Sequence, residues 1–124
     1  MPKKIRLMIV DDSLLMRQAI EMYLNEYNIE IVGTAEDGEE AIKIFNKKKP
    51  DYVTLDIVMP KMDGFGVLQT ILKKRPNTKI MIVTALSDKD TALQAVEMGA
   101  RSVLMKPFTP LKLKKAFDKF ISED

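Results

Sequence analysis

The sequence predicts an α/β domain built on a parallel sheet, and three observations carry that expectation. Short apolar runs alternate with amphipathic stretches five times along the chain. The third run, Tyr52–Leu55, is apolar and bounded by Asp51 and Asp56, as a central strand covered on both faces would be. Four of the apolar runs end on acidic, hydroxyl or lysine side chains, which would meet at the carboxyl rim of such a sheet.

Strands β1 to β5 are expected at 5–10, 29–34, 51–55, 79–84 and 102–105, with helices α1 to α5 near 13–26, 38–48, 63–74, 88–98 and 110–122. β1 runs directly into Asp11 and Asp12. In α1, Met16, Ile20, Tyr23, Leu24 and Tyr27 recur at helical spacing. β2 and α2 continue the alternation, and Lys49-Pro50-Asp51 leads into β3, which ends at Asp56. Asp63-Gly64 reads as the start of α3, the aspartate capping it and the glycine permitting the turn. Pro76-Asn77 closes that helix, and β4 runs into Thr84. Gly99 follows α4 as a left-handed cap would, and β5 ends at Lys106-Pro107. α5 is the clearest helix, with Leu113, Ala116, Phe117, Phe120 and Ile121 on one stripe and lysines opposite.

A chain of 124 residues, 46% apolar and 31% charged, suits one folded domain over 1–124, and no linker or output domain is visible. Twenty Lys and Arg against 18 Asp and Glu leave a net charge of +2, so no direct nucleic-acid partner is expected. The lysines at 47–49 and at 112, 114, 115 and 119 read as solvated helix faces. The absence of cysteine excludes disulfides, thiol catalysis and cysteine-ligated metals, and the absence of histidine excludes a phosphohistidine carrier. Met1-Pro2-Lys3-Lys4-Ile5 enters a strand without a signal-peptide core, and no apolar run approaches a membrane span. A cytoplasmic location without membrane insertion is the expectation. Neither a dinucleotide-binding nor a P-loop glycine motif is present.

Asp11, Asp12 and Asp56, brought together, would repel and raise one another's pKa unless a cation intervened. Hard oxygen donors without His or Cys select Mg²⁺, with Mn²⁺ or Ca²⁺ as less specific substitutes. Lys106 would offer a compact charge to a phosphoryl oxygen, and Thr84 a hydroxyl. Proline after Lys106 raises the chance of a cis peptide that aims the lysine inward, an isomer that sequence alone does not fix. Asp56, on the central strand, is best placed to accept a phosphoryl group as an aspartyl phosphate. An ionised carboxylate needs no general base, so positioning and charge neutralisation would do most of the work. Plainer roles exist for the same residues. Asp11, Asp12 or Ser13 could cap α1, Thr84 favours a strand in any case, and Met59, Met62, Met98 and Met105 read as core and loop filler.

Taken together, Asp11-Asp12-Ser13, the segment Asp56-Ile57-Val58-Met59-Pro60-Lys61-Met62-Asp63-Gly64, Thr84-Ala85 and Lys106-Pro107 resemble the response-regulator receiver domain of two-component signalling, CheY-like in standing alone. The resemblance covers essentially the whole chain. It implies a flavodoxin-like (βα)5 doubly wound sheet of order 2-1-3-4-5 and Mg²⁺-dependent phosphorylation of Asp56 by a histidine kinase or phosphotransfer protein. By position, Asp12 and Asp56 would bind the metal directly, Asp11 through water, and the Val58 carbonyl would be a further ligand. Thr84 and Lys106 would hold the phosphoryl group. The readout would be the α4–β5–α5 face, including Asp90, Gln94, Glu97, Met98, Arg101 and Lys112. A target protein, in chemotaxis or motility for example, or a second copy would dock there.

Three positions depart from the common pattern. Val103 stands where many members carry an aromatic coupled to the threonine, so an aromatic relay is not expected. Val58 and Leu86, two residues after Asp56 and Thr84, are apolar and would hinder attacking water. Slow self-dephosphorylation is therefore expected of a protein that is a switch and not a turnover enzyme. A haloacid-dehalogenase-type phosphatase would want a carboxylate at Val58, and a flavin binder would want a glycine- and hydroxyl-rich loop after β1.

Overall fold

In a computed structural model, which describes residues 4–59 and 63–122, each expected strand and helix is present. Residues 60–62, part of the segment that carries the resemblance, and the Leu86 side chain lie outside the described residues. The strands are β1 Ile5–Val10, β2 Ile29–Ala35, β3 Tyr52–Leu55, β4 Lys79–Ala85 and β5 Ser102–Lys106. All pair in parallel, in the order β2-β1-β3-β4-β5, which is the flavodoxin-like arrangement. The helices are α1 Leu14–Tyr23, α2 Gly38–Lys48, α3 Gly64–Lys74, α4 Lys89–Glu97 and α5 Pro110–Ile121, with a 3₁₀ turn Leu86–Asp88 before α4.

Successive strand side chains point to opposite faces, so one sheet serves two cores. Met8, Val10, Val53, Leu55, Ile80 and Ile82 meet Phe45 of α2, Leu68 and Ile71 of α3 and Ala92 of α4. Leu7, Ile9, Met81, Val83 and Leu104 meet Ile20 of α1 and Leu113, Phe117 and Phe120 of α5. β1 is apolar on both faces and fully buried from Leu7 to Val10. At the β1–β2 pair, Leu7 opposes Ile31 and Met8 opposes Gly33, leaving Val32 as a bulge.

α1 is shorter than the periodicity predicts. Ser13 is its cap, its hydroxyl accepting from the Met16 N–H at 3.1 Å, and the helix closes at Leu24. No basic residue occupies the last turn to offset the helix dipole, and turns at Asn25 and Tyr27 follow. Tyr27 is therefore a loop residue. Its ring packs edge-on against Phe117 at 4.9 Å and its hydroxyl donates to Asp118 at 2.6 Å, tying the α1–β2 loop to α5. At the other end of the chain's regularity, α4 closes on a Schellman motif. The Ala100 N–H reaches the Ala95 carbonyl, the Gly99 N–H reaches Val96, and Gly99 takes φ +121° as expected of its type. Among the described residues, no helix is long and apolar enough to cross a membrane.

Candidate functional site

The sheet's order reverses between β1 and β3, so the helices leaving those strands part there and open a crevice at the carboxyl rim. Asp11 and Asp12 follow β1 and Asp56 follows β3, so both strands that flank the reversal deliver carboxylates to it. One carboxylate oxygen from each of Asp11, Asp12 and Asp56 lies within 4.8 Å of the others. Among the described residues this is the single such gathering. Asp11 and Asp56 are buried, at 1% and 6% exposure, while Asp12 is open to solvent.

Because Ser13 caps α1, neither preceding aspartate is spent on the helix. Asp11 instead accepts the Ser13 N–H on Oδ1 at 3.0 Å and the Lys106 ammonium on Oδ2 at 2.8 Å. Lys106 also donates to Asp56 Oδ2 at 3.0 Å, and Asp56 Oδ1 accepts from the Val58 N–H at 3.1 Å. Lys106 is the last residue of β5, and the Lys106–Pro107 peptide is cis, an isomer the sequence leaves open. Thr84 opposes Met105 in the β4–β5 register, one position before Lys106, and its buried hydroxyl has no hydrogen-bond partner among the described residues.

Burial pushes the Asp56 carboxyl above its ordinary value; hydrogen bonding and charge from Lys106 pull the other way without cancelling it, and Asp11 adds to the rise. Burial pulls the Lys106 ammonium down, but its bonds to Asp11 and Asp56 outweigh that and leave it raised. The cluster thus sets three carboxylates around a single directly paired ammonium. Hard oxygen donors carrying surplus negative charge fit a divalent cation of the Mg²⁺ class.

The structure also corrects the reason for one glycine. Gly64 has no left-handed φ, so no turn demands it. A Cβ there would lie 2.3 Å from Ile57 Cα and 2.8 Å from the Asp56 carbonyl oxygen, and the Gly64 N–H donates to Ile57 O at 2.7 Å. The glycine lets α3 start against the backbone of Asp56 and Ile57. Asp63 does cap α3, accepting from the Gly66 N–H at 3.1 Å. Val58 is 55% exposed beside the site, and Val103 is a half-buried β5 residue opposite Ile82. Of the α4–β5–α5 candidates, Asp90, Gln94, Glu97, Arg101 and Lys112 are exposed and Met98 is half-buried. Sequence reading did not single out Arg17, whose guanidinium donates to the Asp11 main-chain carbonyl at 2.6 Å.

A five-stranded 2-1-3-4-5 sheet with this acidic rim defines a signalling receiver, and the comparisons agree. The response regulator receiver domain family matches residues 7–118, and the chain belongs to that family. Over 115 residues it is 37% identical to the chemotaxis protein CheY of Listeria monocytogenes, covering 93% of this chain and 97% of that protein. It is 35% identical to the CheY of Thermotoga maritima over 92% of this chain and 95% of that one. Among solved structures, CheY from a CheX–CheY complex of Borrelia burgdorferi with BeF₃ and Mg²⁺ aligns at TM-score 0.85 with 31% identity, covering 95% and 90% of the two chains. The chain is thus a CheY-like receiver of a response regulator, a signalling domain.

Proposed function

We propose that this receiver accepts a phosphoryl group on Asp56 and uses it to switch its α4–β5–α5 face toward a partner protein. The observation that carries the reading is the fork at Lys106, which reaches Asp11 at 2.8 Å and Asp56 at 3.0 Å beside a three-carboxylate cluster. Asp12 and Asp56 would hold Mg²⁺ directly, Asp11 through water, and the Val58 carbonyl would complete the protein's share. When bound, the ion supplies charge neutralisation around the incoming phosphoryl oxygens. An Asp56 carboxylate oxygen attacks phosphorus, the donor's N–P or O–P bond breaks, and the donor keeps the bonding pair. Lys106 contacts the transferred group and Thr84 donates its free hydroxyl to it. In the cell the donor is a histidine kinase or phosphotransfer protein. The likeness to chemotaxis proteins supports a motility pathway as the setting.

Intact-mass measurement after incubation with acetyl phosphate and Mg²⁺ tests this. One phosphoryl group is expected on wild type, and none on Asp56→Asn or after chelation. No addition to wild type would sink the reading, and steady phosphate release would favour a phosphatase instead.

A further inference from the structure

Asp11 is held at four polar points. Its N–H donates to Ala35 O at 3.0 Å, Oδ1 accepts from Ser13, Oδ2 from Lys106, and its main-chain carbonyl from Arg17 Nη1 at 2.6 Å. Arg17 belongs to the start of α1, its own N–H bonded to the Ser13 carbonyl at 3.0 Å. The guanidinium folds back over the helix start and closes a ring from the end of β1, through Asp12 and Ser13, to α1. Arg17 is half-buried, whereas its neighbour Gln18 is exposed.

Electrostatics alone argues against a cation at this place. The amino-terminal end of a helix disfavours positive charge, and a guanidinium beside the carboxylate cluster repels any metal that binds there. A short charge-assisted hydrogen bond to a main-chain carbonyl is the contact that offsets both.

We propose that Arg17 is a positioning residue for the divalent-cation site. Its grip on the Asp11 carbonyl fixes the β1–α1 junction so that the Asp11 and Asp12 carboxylates are presented toward Asp56. The proposal rests on the metal-and-phosphoryl reading above. It makes a prediction whose sign separates it from a purely electrostatic role. Removing a nearby positive charge should tighten Mg²⁺ binding if charge is all that matters. Losing the grip should weaken binding although charge repulsion falls.

Isothermal titration of MgCl₂ into wild type, Arg17→Met and Arg17→Lys at matched ionic strength decides the matter, with thermal melts to establish that each variant is folded. Arg17→Met is expected to bind Mg²⁺ about tenfold more weakly, the usual size of an outer-sphere positioning effect, and Arg17→Lys, which keeps a charged donor, to recover most of that loss. If Arg17→Met does not fold, Arg17→Ala removes the same donor and carries the same expectation. Mg²⁺ binding by the folded Met or Ala variant that equals or exceeds wild type overturns the proposal. Mg²⁺ failing to bind wild type withdraws the metal reading itself, and this proposal with it.

Discussion

Val58 keeps its N–H on the Asp56 carboxylate and turns an apolar, largely exposed side chain beside the site. Such a side chain can shield a phosphoryl group but cannot orient a water molecule toward it. Replacing Val58 by Asn and Leu86 by Glu supplies polar partners for that water. The half-life of phosphorylated protein should then fall by about tenfold or more, since oriented proton transfer contributes 10²-fold or greater effects. An unchanged half-life would remove these two positions from the account. At this scale the sequence was most legible where a residue type is chemically unambiguous. Asp11, Asp12, Asp56, Thr84 and Lys106 were all named from their places at strand ends. Orphan hydroxyls teach the opposite lesson. Thr54 is as buried as Thr84 and Thr78 nearly so, with neither hydroxyl partnered, so burial alone does not single out Thr84; its place at the carboxyl end of β4, opposite the residue before Lys106, does. Arg17 escaped notice because its role runs through a main-chain carbonyl, and no side-chain pattern announces a backbone acceptor.

Elements meet the site through close approaches that only coordinates reveal. Both Gly64 and Gly33 leave no room for a Cβ, yet what stands in the way differs. At Gly64 the obstacle is the backbone of Asp56 and Ile57; at Gly33 it is the Ile44 side chain, whose Cγ2 would lie 2.5 Å away. Side chains can rotate away, whereas β3 cannot move without displacing Asp56. Gly64→Ala should therefore cost about 3 kcal/mol in urea unfolding, the upper part of the usual overpacking range, and Gly33→Ala distinctly less. The reverse ranking would contradict this view of the β3–α3 junction. Element positions were readable because period-2 and period-3.6 patterns survive in sequence. The end of α1 was misread because Tyr27 continues the apolar spacing while its ring serves a loop contact with Phe117. The two ends of α4 also differ: Asp88 offers no side-chain cap bond at its start, whereas a Schellman motif closes its end. An end without a cap is the easier one to shift, which suits a helix on the proposed readout face.

For the molecule as a whole, folding brings the Asp56 carboxylate, distant along the chain and solvated when unfolded, against those of the adjacent Asp11 and Asp12. Their mutual repulsion is a cost carried for function, only partly offset by Lys106. Mg²⁺ should bind the folded state alone and raise its stability by about 1.4 kcal/mol when free ion is ten times the dissociation constant. Asp12→Asn should raise the melting temperature without metal, by relieving repulsion, and blunt the rise that Mg²⁺ produces. A variant melting below wild type without metal, with an undiminished Mg²⁺ response, would refute this charge balance. Composition could not have revealed it, because a net charge of +2 averages over the chain what the fold concentrates at one rim. Fold class, by contrast, followed from the fivefold alternation, whereas the strand order came only with the resemblance to the receiver family.

The central claim is that Asp56, among the three neighbouring carboxylates, is the covalent acceptor. Borohydride reduction of the phosphorylated protein converts an aspartyl phosphate to homoserine, which peptide mass mapping locates. Homoserine at position 56 alone, and only when Mg²⁺ was present during phosphorylation, is the predicted result. Homoserine at position 11 or 12, or its formation without Mg²⁺, would contradict the account.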